Sequence, residues 1–271
     1  MLSATSIVDH PQISTFIAVF VISYWWHMMG VTIGYHRLLS HRSFRCPKLV
    51  EYFWVLGGYL AFEGSPIWWA AIHRAHHRYV DQPRDPHSPR QRGWKYAYIG
   101  WIKEPGYPDY INPPRQAKDL LKDQLYAWLE QGGDWRKAHR LSAKINLAFR
   151  CLLWLSCGWI VMVANFAAAL IVQQIPLMLN VICHIPKLGY KNYPTPDDSV
   201  NVWWVAVLTA GEGWHNNHHA FPGSARSGLK PHEIDPSWLM LLMMKMFGLV
   251  SWMHEESVRS KYRQPHEAVE G

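Results

Sequence analysis

A spacing of histidines that recurs at places far apart in the chain constrains its fold more than any other feature. GEGWHNNHHAFP, residues 211 to 222, sets out His215, His218 and His219. HRAHH, residues 73 to 77, repeats the H-x-x-H-H order with His73, His76 and His77, and HRLLSH, residues 36 to 41, supplies His36 and His41. On a helix, positions i and i+3 share a face and i+4 lies almost beside it, so the three imidazoles of a box lean toward one point. Neutral rings gain little from one another and protonated rings repel, so that point invites a cation. A fourth fragment, NVICH, places Asn180 and His184 at i and i+4 on one face. Boxes that share a site must be carried to it by the segments between them.

Those segments are apolar. Residues 12 to 35 contain no Lys or Arg, and none precedes Arg37; the stretch is long enough for a hydrocarbon core of about 30 Å, which needs roughly 20 apolar residues. It lacks the basic start and small-residue cleavage pattern of a signal peptide. A second block, 147 to 186, is about twice a span and predicts a transmembrane hairpin, 147–164 and 166–186, turning near Asn165. A third, 49 to 72, carries Glu51, Glu63, two glycines and Pro66, which suits an interfacial or re-entrant segment better than a lipid-facing span. A mean hydropathy of −0.15 leaves a large polar part outside the bilayer.

The shared site fixes the expected topology. Segment 49–72 joins the first box to the second, so it cannot cross once; it lies in the interface or dips and returns. Three crossings follow, with the N-terminus outside and the site cytoplasmic. The positive-inside rule agrees, because residues 37–145 and 187–271 hold every Lys and Arg except Arg150. No repeat or linker divides the chain, so residues 1–271 are expected to form one domain. The expected fold is an all-α integral membrane protein of about three transmembrane helices plus an interfacial or re-entrant helix. A cytoplasmic His-rich helical cap, including 187–271, holds a di-metal site in a multi-pass protein of a bacterial inner or thylakoid-type membrane. Cys46, Cys151, Cys157 and Cys183 form no C-x-x-C and read as reduced, structural thiols. No P-loop, G-x-G-x-x-G in strand–helix context or Ser-His-Asp pattern competes for the chemistry, and nothing points to nucleic acid.

Nine histidines and Asn180 exceed what one ion takes, so two metals are implied, and an imidazole-rich site with spare positions suits iron, zinc or copper. From about Gly34 to Leu249 the chain resembles the membrane fatty-acid desaturases, whose pattern is H-x-x-x-x-H, H-x-x-H-H and H-x-x-H-H. HRLLSHRSF, HRAHHRYVDQPRDPHSP, NVICH and GEGWHNNHHAFPGSAR carry the likeness, with EID at 233 to 235, and they look most like the bacterial and cyanobacterial delta-9 branch. The resemblance implies an O2-dependent di-iron enzyme that introduces a cis double bond, at delta-9, into a saturated fatty acyl chain. His36, His41, His73, His76, His77, His184, His215, His218 and His219 would ligate the two irons, with Asn180 acting through a water. Animal acyl-CoA desaturases have a further helix before the first box and charged residues before the second, where this chain reads PIWWAAIH. The carrier is therefore CoA or a membrane glycerolipid.

Around the boxes, Asp85, Glu212 and Glu63 are expected to accept imidazole N–H bonds, as metal-bound rings require. Trp68, Trp69 and Trp214 flank the boxes as interface belt or, above all at Trp69, as walls of a bent acyl channel. His27 is expected to be a packing residue in the first span, His87 to support the site, and His10, His139, His232, His254 and His266 to be solvated. The run 239–250 reads as an amphipathic helix on the cap or on lipid. Desaturation reduces O2 to two waters while the substrate gives two electrons, so two more come from outside, and no flavin, nicotinamide or haem site is present. A ferredoxin, or a cytochrome b5 or rubredoxin type of carrier with its reductase, would be steered by Arg74, Arg78, Arg226 and Lys230 on a chain of net charge +7. A di-iron lipid or alkane hydroxylase uses similar boxes; a His-rich metal transporter would need its ligands near mid-bilayer.

Overall fold

A computed structural model of the protein describes residues 11–103 and 107–255, and they are mostly helical. The first helix, α1, runs from Pro11 to Met29 and continues without a break as a π-helix, Gly30–Ser40. Its wider i→i+5 turns are rare at this length and favour functional sites. Helix α2, Lys48–Tyr59, packs antiparallel on the π segment. The approach requires glycine: a Cβ on Gly30 would meet the backbone N of Gly58 at 2.3 Å, and one on Gly34 would lie 2.9 Å from the Trp54 carbonyl carbon. After a turn through Phe62 and Gly64, both at positive φ, helix α3, Pro66–Tyr79, returns alongside. Ser65 caps α3 by accepting from Ile67 N at 3.3 Å, with Pro66 in the first turn where no N–H is needed. Segment 49–72 is thus a helical out-and-back that delivers its start and end to the same place.

The tip of this out-and-back is held from the side. Helix α4, Gln124–Glu130, leads into α5, Trp135–Cys157, and α6, Trp159–Ile182. Asn146 Nδ2 donates to the carbonyl of Tyr59 at 3.2 Å and Arg150 Nη2 to that of Leu60 at 2.6 Å, satisfying acceptors that the end of α2 leaves open. The hairpin between α5 and α6 turns at Gly158, with φ 90°, and not near Asn165 as expected. Asn165 is inside α6, buried, with Nδ2 3.1 Å from Ser23 Oγ and 3.2 Å from His27 Nε2. Glycine ends the helix because the turn needs a left-handed residue, whereas Asn165 is spent on a polar contact between α1 and α6. His27 Nδ1 also lies 2.7 Å from the Gly57 carbonyl, so this ring is the packing residue expected.

Among the described residues two helices are long and apolar enough to cross a membrane, Pro11–Ser40 and Trp159–Ile182. The first half of α5 carries Arg136, Lys137, Arg140 and Lys144, and only its second half is apolar. Helices α7, Trp203–Leu208, α8, His215–Ala220, and α9, Pro236–Met246, form the remaining cap. The run 239–250 is thus helical only as far as Met246, with Leu241 and Met244 buried and Met243 and Met246 exposed. A two-residue strand, β1 (Phe44–Arg45), pairs antiparallel with β2 (Trp252–Met253) and ties the end of the cap to the first box.

Candidate metal centre

Each box is set by its local helix. In an α-helix residues five apart diverge, but His36 ends a π turn in which His41 N donates to His36 O at 3.1 Å, and their rings stand 4.8 Å apart. The second box lies in the last turns of α3 and the third opens α8. Neither of these two leans toward a single point, as the spacing suggested. Their members split between two groups of converging ring nitrogens, each within 4.8 Å of one another: His36, His41, His73, His77 and His218, and His76, His184, His215 and His219. The i and i+4 members of a box go to one group and the i+3 member to the other. Residues i+3 and i+4 point about 100° apart, enough to reach opposite sides of the helix crest.

Carboxylates fix the tautomers. Nδ1 of His76 lies 3.0 Å from Asp85 Oδ1, that of His184 3.0 Å from Asp81 Oδ2, that of His219 3.6 Å from Asp197 Oδ2, and that of His36 2.6 Å from Glu212 Oε2. A carboxylate only accepts, so these Nδ1 atoms carry the proton and the Nε2 atoms face inward as lone pairs. His215 Nε2 sits 3.1 Å from His184 Nε2 and 3.0 Å from His219 Nε2, and its one possible proton can satisfy only one of them. His76 Nε2 is buried with no partner. In the other group, Nε2 pairs approach to 2.8 Å for His41 and His73, 2.9 Å for His77 and His218, and 3.1 Å for His36 and His218. A neutral ring has one proton, so the converging nitrogens of each group cannot all be satisfied by hydrogen bonds among themselves. Those left facing one another as lone pairs repel unless a cation lies among them; the residues fit two metal ions with nitrogen ligands.

Burial holds six of the nine rings toward the neutral state that a metal needs. Burial, reinforced by neighbouring imidazoles, lowers the pKa of His41, His73, His77, His215 and His218 well below the usual histidine range. His219 is lowered to about 4 by burial, against the opposing pull of Asp197. Burial would lower His76 too, but the charge and hydrogen bond of Asp85 outweigh it and raise this ring. Asp81 is lowered to about 2: burial pushes it up, and His184 with backbone and Ser88 donors pulls it further down. Glu212 also faces Arg37, which is buried and donates to Glu212 Oε1 at 3.0 Å, to Asp235 Oδ1 at 3.0 Å and to the Ala225 carbonyl at 2.7 Å.

An apolar hollow of about 290 Å³ runs past the first group, between Phe62, Trp101 and Leu177, with Trp69, His73 and Asn180 in its wall. A narrower one of about 50 Å³ lies between α1 and α6 against Met28, Val31 and Leu179. They share Trp69, His73, Pro176 and Asn180, so the two adjoin at Trp69, whose ring stacks 4.9 Å from that of His73.

The nine histidines all fall in the two groups, and Asn180 lies beside them in the cavity wall. Asp85 and Glu212 contact ring nitrogens as expected. Glu63 does not: its Oε2 accepts from Trp69 Nε1 at 3.0 Å, because the turn before α3 places it under the indole. Trp68 and Trp69 line the cavity, but Trp214 is spent on packing, donating from Nε1 to the Ile234 carbonyl at 2.8 Å. His139 is half-buried in the cavity wall against Trp135, at 4.3 Å, and is not simply solvated. His87 stacks on His76 at 4.5 Å, while His10 and His266 lie outside the described residues. Arg74 is no free surface charge: it pairs with Asp119 at 2.7 Å and donates to the Ser40 and Gln116 carbonyls. Sequence reasoning missed Asp81, Asp197 and Arg37; the signal for the two aspartates was acidic residues in VDQPRD, beside the second box, and in TPDDS, a loop with no assigned role.

Residues 13–233 match the family described as fatty acid desaturase. The sn-1 stearoyl-lipid 9-desaturase of Anabaena variabilis is 39% identical over 237 residues, covering 87% of this chain and 82% of the relative. The sn-2 palmitoyl-lipid 9-desaturase of Nostoc sp. (strain 36) is 36% identical, covering 86% and 79%. The Delta-9 acyl-lipid desaturase 1 of Arabidopsis thaliana is 36% identical, covering 82% and 70%.

Proposed function

The chain belongs to the fatty acid desaturase family, and from that premise we propose that it introduces a cis double bond at delta-9 of a saturated acyl chain carried on a membrane glycerolipid or CoA. The observation that carries the reading is the pair of inward-facing imidazole groups set against the junction of two apolar hollows at Trp69. The activities for which the relatives are named favour the position. Two irons bound by the nine histidines, with Asn180 alongside, would supply the activation of O2 and the removal of hydrogen from unactivated C–H bonds. The protein's own part is positional. Trp69 and Pro176 bend the chain so that its mid-section lies under His73 and Asn180, the apolar walls exclude water, and the carboxylates behind the rings hold each Nε2 toward its ion.

The proposed topology has three crossings: α1, α5, whose 23 residues reach about 34 Å although only the second half is apolar, and α6. Helices α2 and α3 form a re-entrant pair whose buried tip is supported by Asn146 and Arg150, as backbone ending within a bilayer demands. The N-terminus is outside, and the cap, with 187–271, is cytoplasmic. Reporter fusions check this: an N-terminal reporter reads outside and a C-terminal one inside, and an even number of crossings would overturn it. Electrons come from a separate carrier of ferredoxin, cytochrome b5 or rubredoxin type with its reductase.

The test is a reconstituted assay with ferredoxin, reductase, NADPH and O2, offering stearoyl groups on CoA, acyl carrier protein and glycerolipid in parallel. Mass spectrometry should find an alkene at carbon 9, and none with NADPH alone. An alcohol as the product would refute desaturation in favour of hydroxylation.

A further inference from the structure

Outside the acyl cavity, separated from it by one smaller hollow that shares a wall with each, lies a basic groove. It encloses about 830 Å³ and is lined by Arg78, Arg84 and Arg115 together with Tyr79 and Asn112; Asp109 is its one carboxylate. All three arginines are exposed, and among the described residues none forms an ion pair. The contrast with Arg74, one turn before Arg78 on α3, is direct: Arg74 is consumed by Asp119 and by backbone carbonyls, whereas Arg78 holds no part of the fold together. Arg84 packs 5.8 Å over the Tyr79 ring, a contact that orients its guanidinium without using its donors.

The groove meets a second hollow of about 220 Å³ at Tyr110, and that hollow meets the acyl cavity along Trp68, Ile72, Trp101 and Ile102. Arg78 lies five residues beyond His73 on one helix, about 7.5 Å along its axis. A chain whose mid-section lies at His73 would bring its polar head out toward these arginines.

We propose that this groove seats a phosphate ester at the head of the acyl carrier, making Arg78, Arg84 and Arg115 the residues that select the carrier. The proposal rests on the desaturase reading of the cavity. A guanidinium fork matches two phosphate oxygens at once, Tyr79 and Asn112 add neutral donors, and a neutral sugar or glycerol head would leave the three charges unused. An acidic electron carrier fits the groove less well, because protein docking needs a broad face and gains nothing from a hollow that adjoins the acyl cavity.

The experiment replaces Arg78, Arg84 and Arg115 by Gln, singly and together, in the full-length protein reconstituted in neutral vesicles. Three carriers are compared: stearoyl phosphatidylglycerol, stearoyl-CoA and an uncharged stearoyl diacylglycerol. The expected result is a KM for a phosphate-bearing carrier at least tenfold below that for the neutral one. The triple variant should lose that advantage with kcat nearly unchanged and the neutral carrier unaffected. An effect confined to phosphatidylglycerol identifies a lipid phosphate, and one confined to CoA a nucleotide phosphate. Equal KM values for all three carriers in the unsubstituted protein would overturn the proposal. So would a triple variant whose KM rises for reduced ferredoxin alone. Calorimetric binding of stearoyl lysophosphatidylglycerol without reductant gives a readout independent of turnover. If no carrier is desaturated, the functional reading fails, while binding that is lost in the triple variant still supports the groove; binding that is unchanged refutes it.

Discussion

The two imidazole groups are built differently. In the group of His76, His184, His215 and His219, three of four rings have an aspartate behind them: Asp85, Asp81 and Asp197. In the group of His36, His41, His73, His77 and His218, Glu212 behind His36 is the one carboxylate among the described residues, and Arg37 shares it. The first set is oriented by charges from loops. The second is oriented by helix geometry: the π turn of His36 and His41, the α3 turn of His73 and His77, and close packing of α2 on α1. A carboxylate raises the basicity of the ring it backs, so the aspartate-backed group should hold its metal more tightly than the larger one.

The largest expected effect removes a ligand. His218→Ala and His76→Ala should each abolish turnover, but metal analysis of gently purified protein should find about one ion per chain remaining, a different one in each variant. Loss of both ions from either variant would show that the groups are not separable. Next come the backing carboxylates. Asp81→Asn should weaken metal at its own group by roughly 10- to 100-fold, while Glu212→Gln should cost the other group more, because its sole carboxylate also balances buried Arg37. Chelator titration followed by metal analysis measures both, and equal losses would erase the distinction drawn here. A smaller, more selective effect is expected of Gly30→Ala, where a Cβ collides with the backbone of Gly58. It should lower stability by about 1–3 kcal/mol and loosen only the group fed by the π turn, as seen in the melting temperature and in which metal is lost first. The smallest effect concerns timing. In unsubstituted protein treated with a mild chelator, the five-imidazole group should release its metal before the four-imidazole group, and the reverse order would contradict the argument from carboxylates.

Much of the arrangement was legible because spacing and charge are local properties. Eight histidines in three boxes with His184 beside them, a charge-free first helix and an out-and-back between boxes one and two all follow from residue order, and the structure carries each of them. The hairpin turn was misplaced because a lone Asn within an apolar run reads as a break, when Asn165 in fact reaches across to Ser23 and His27. Glu63 was misassigned because an acid ten residues before a ligand says nothing about which way the turn at Phe62 and Gly64 will aim it.

By itself, then, the sequence determined which residues are candidate ligands in kind, that more than one metal is implied, and that these boxes must meet beside apolar helices. Helical periodicity, lone-pair chemistry and the absence of charge from 12 to 35 suffice for that. Only the tertiary structure decided which imidazole serves which group. It split each H-x-x-H-H box between the two, closed His36 and His41 together through a π turn, and brought Asp81 and Asp197 behind His184 and His219 from loops with no recognisable spacing. The reason is geometric: a repeat says which side chains share a helix face, but a metal site is assembled across faces of different helices, and their relative rotation is set by packing such as Gly30 against Gly58.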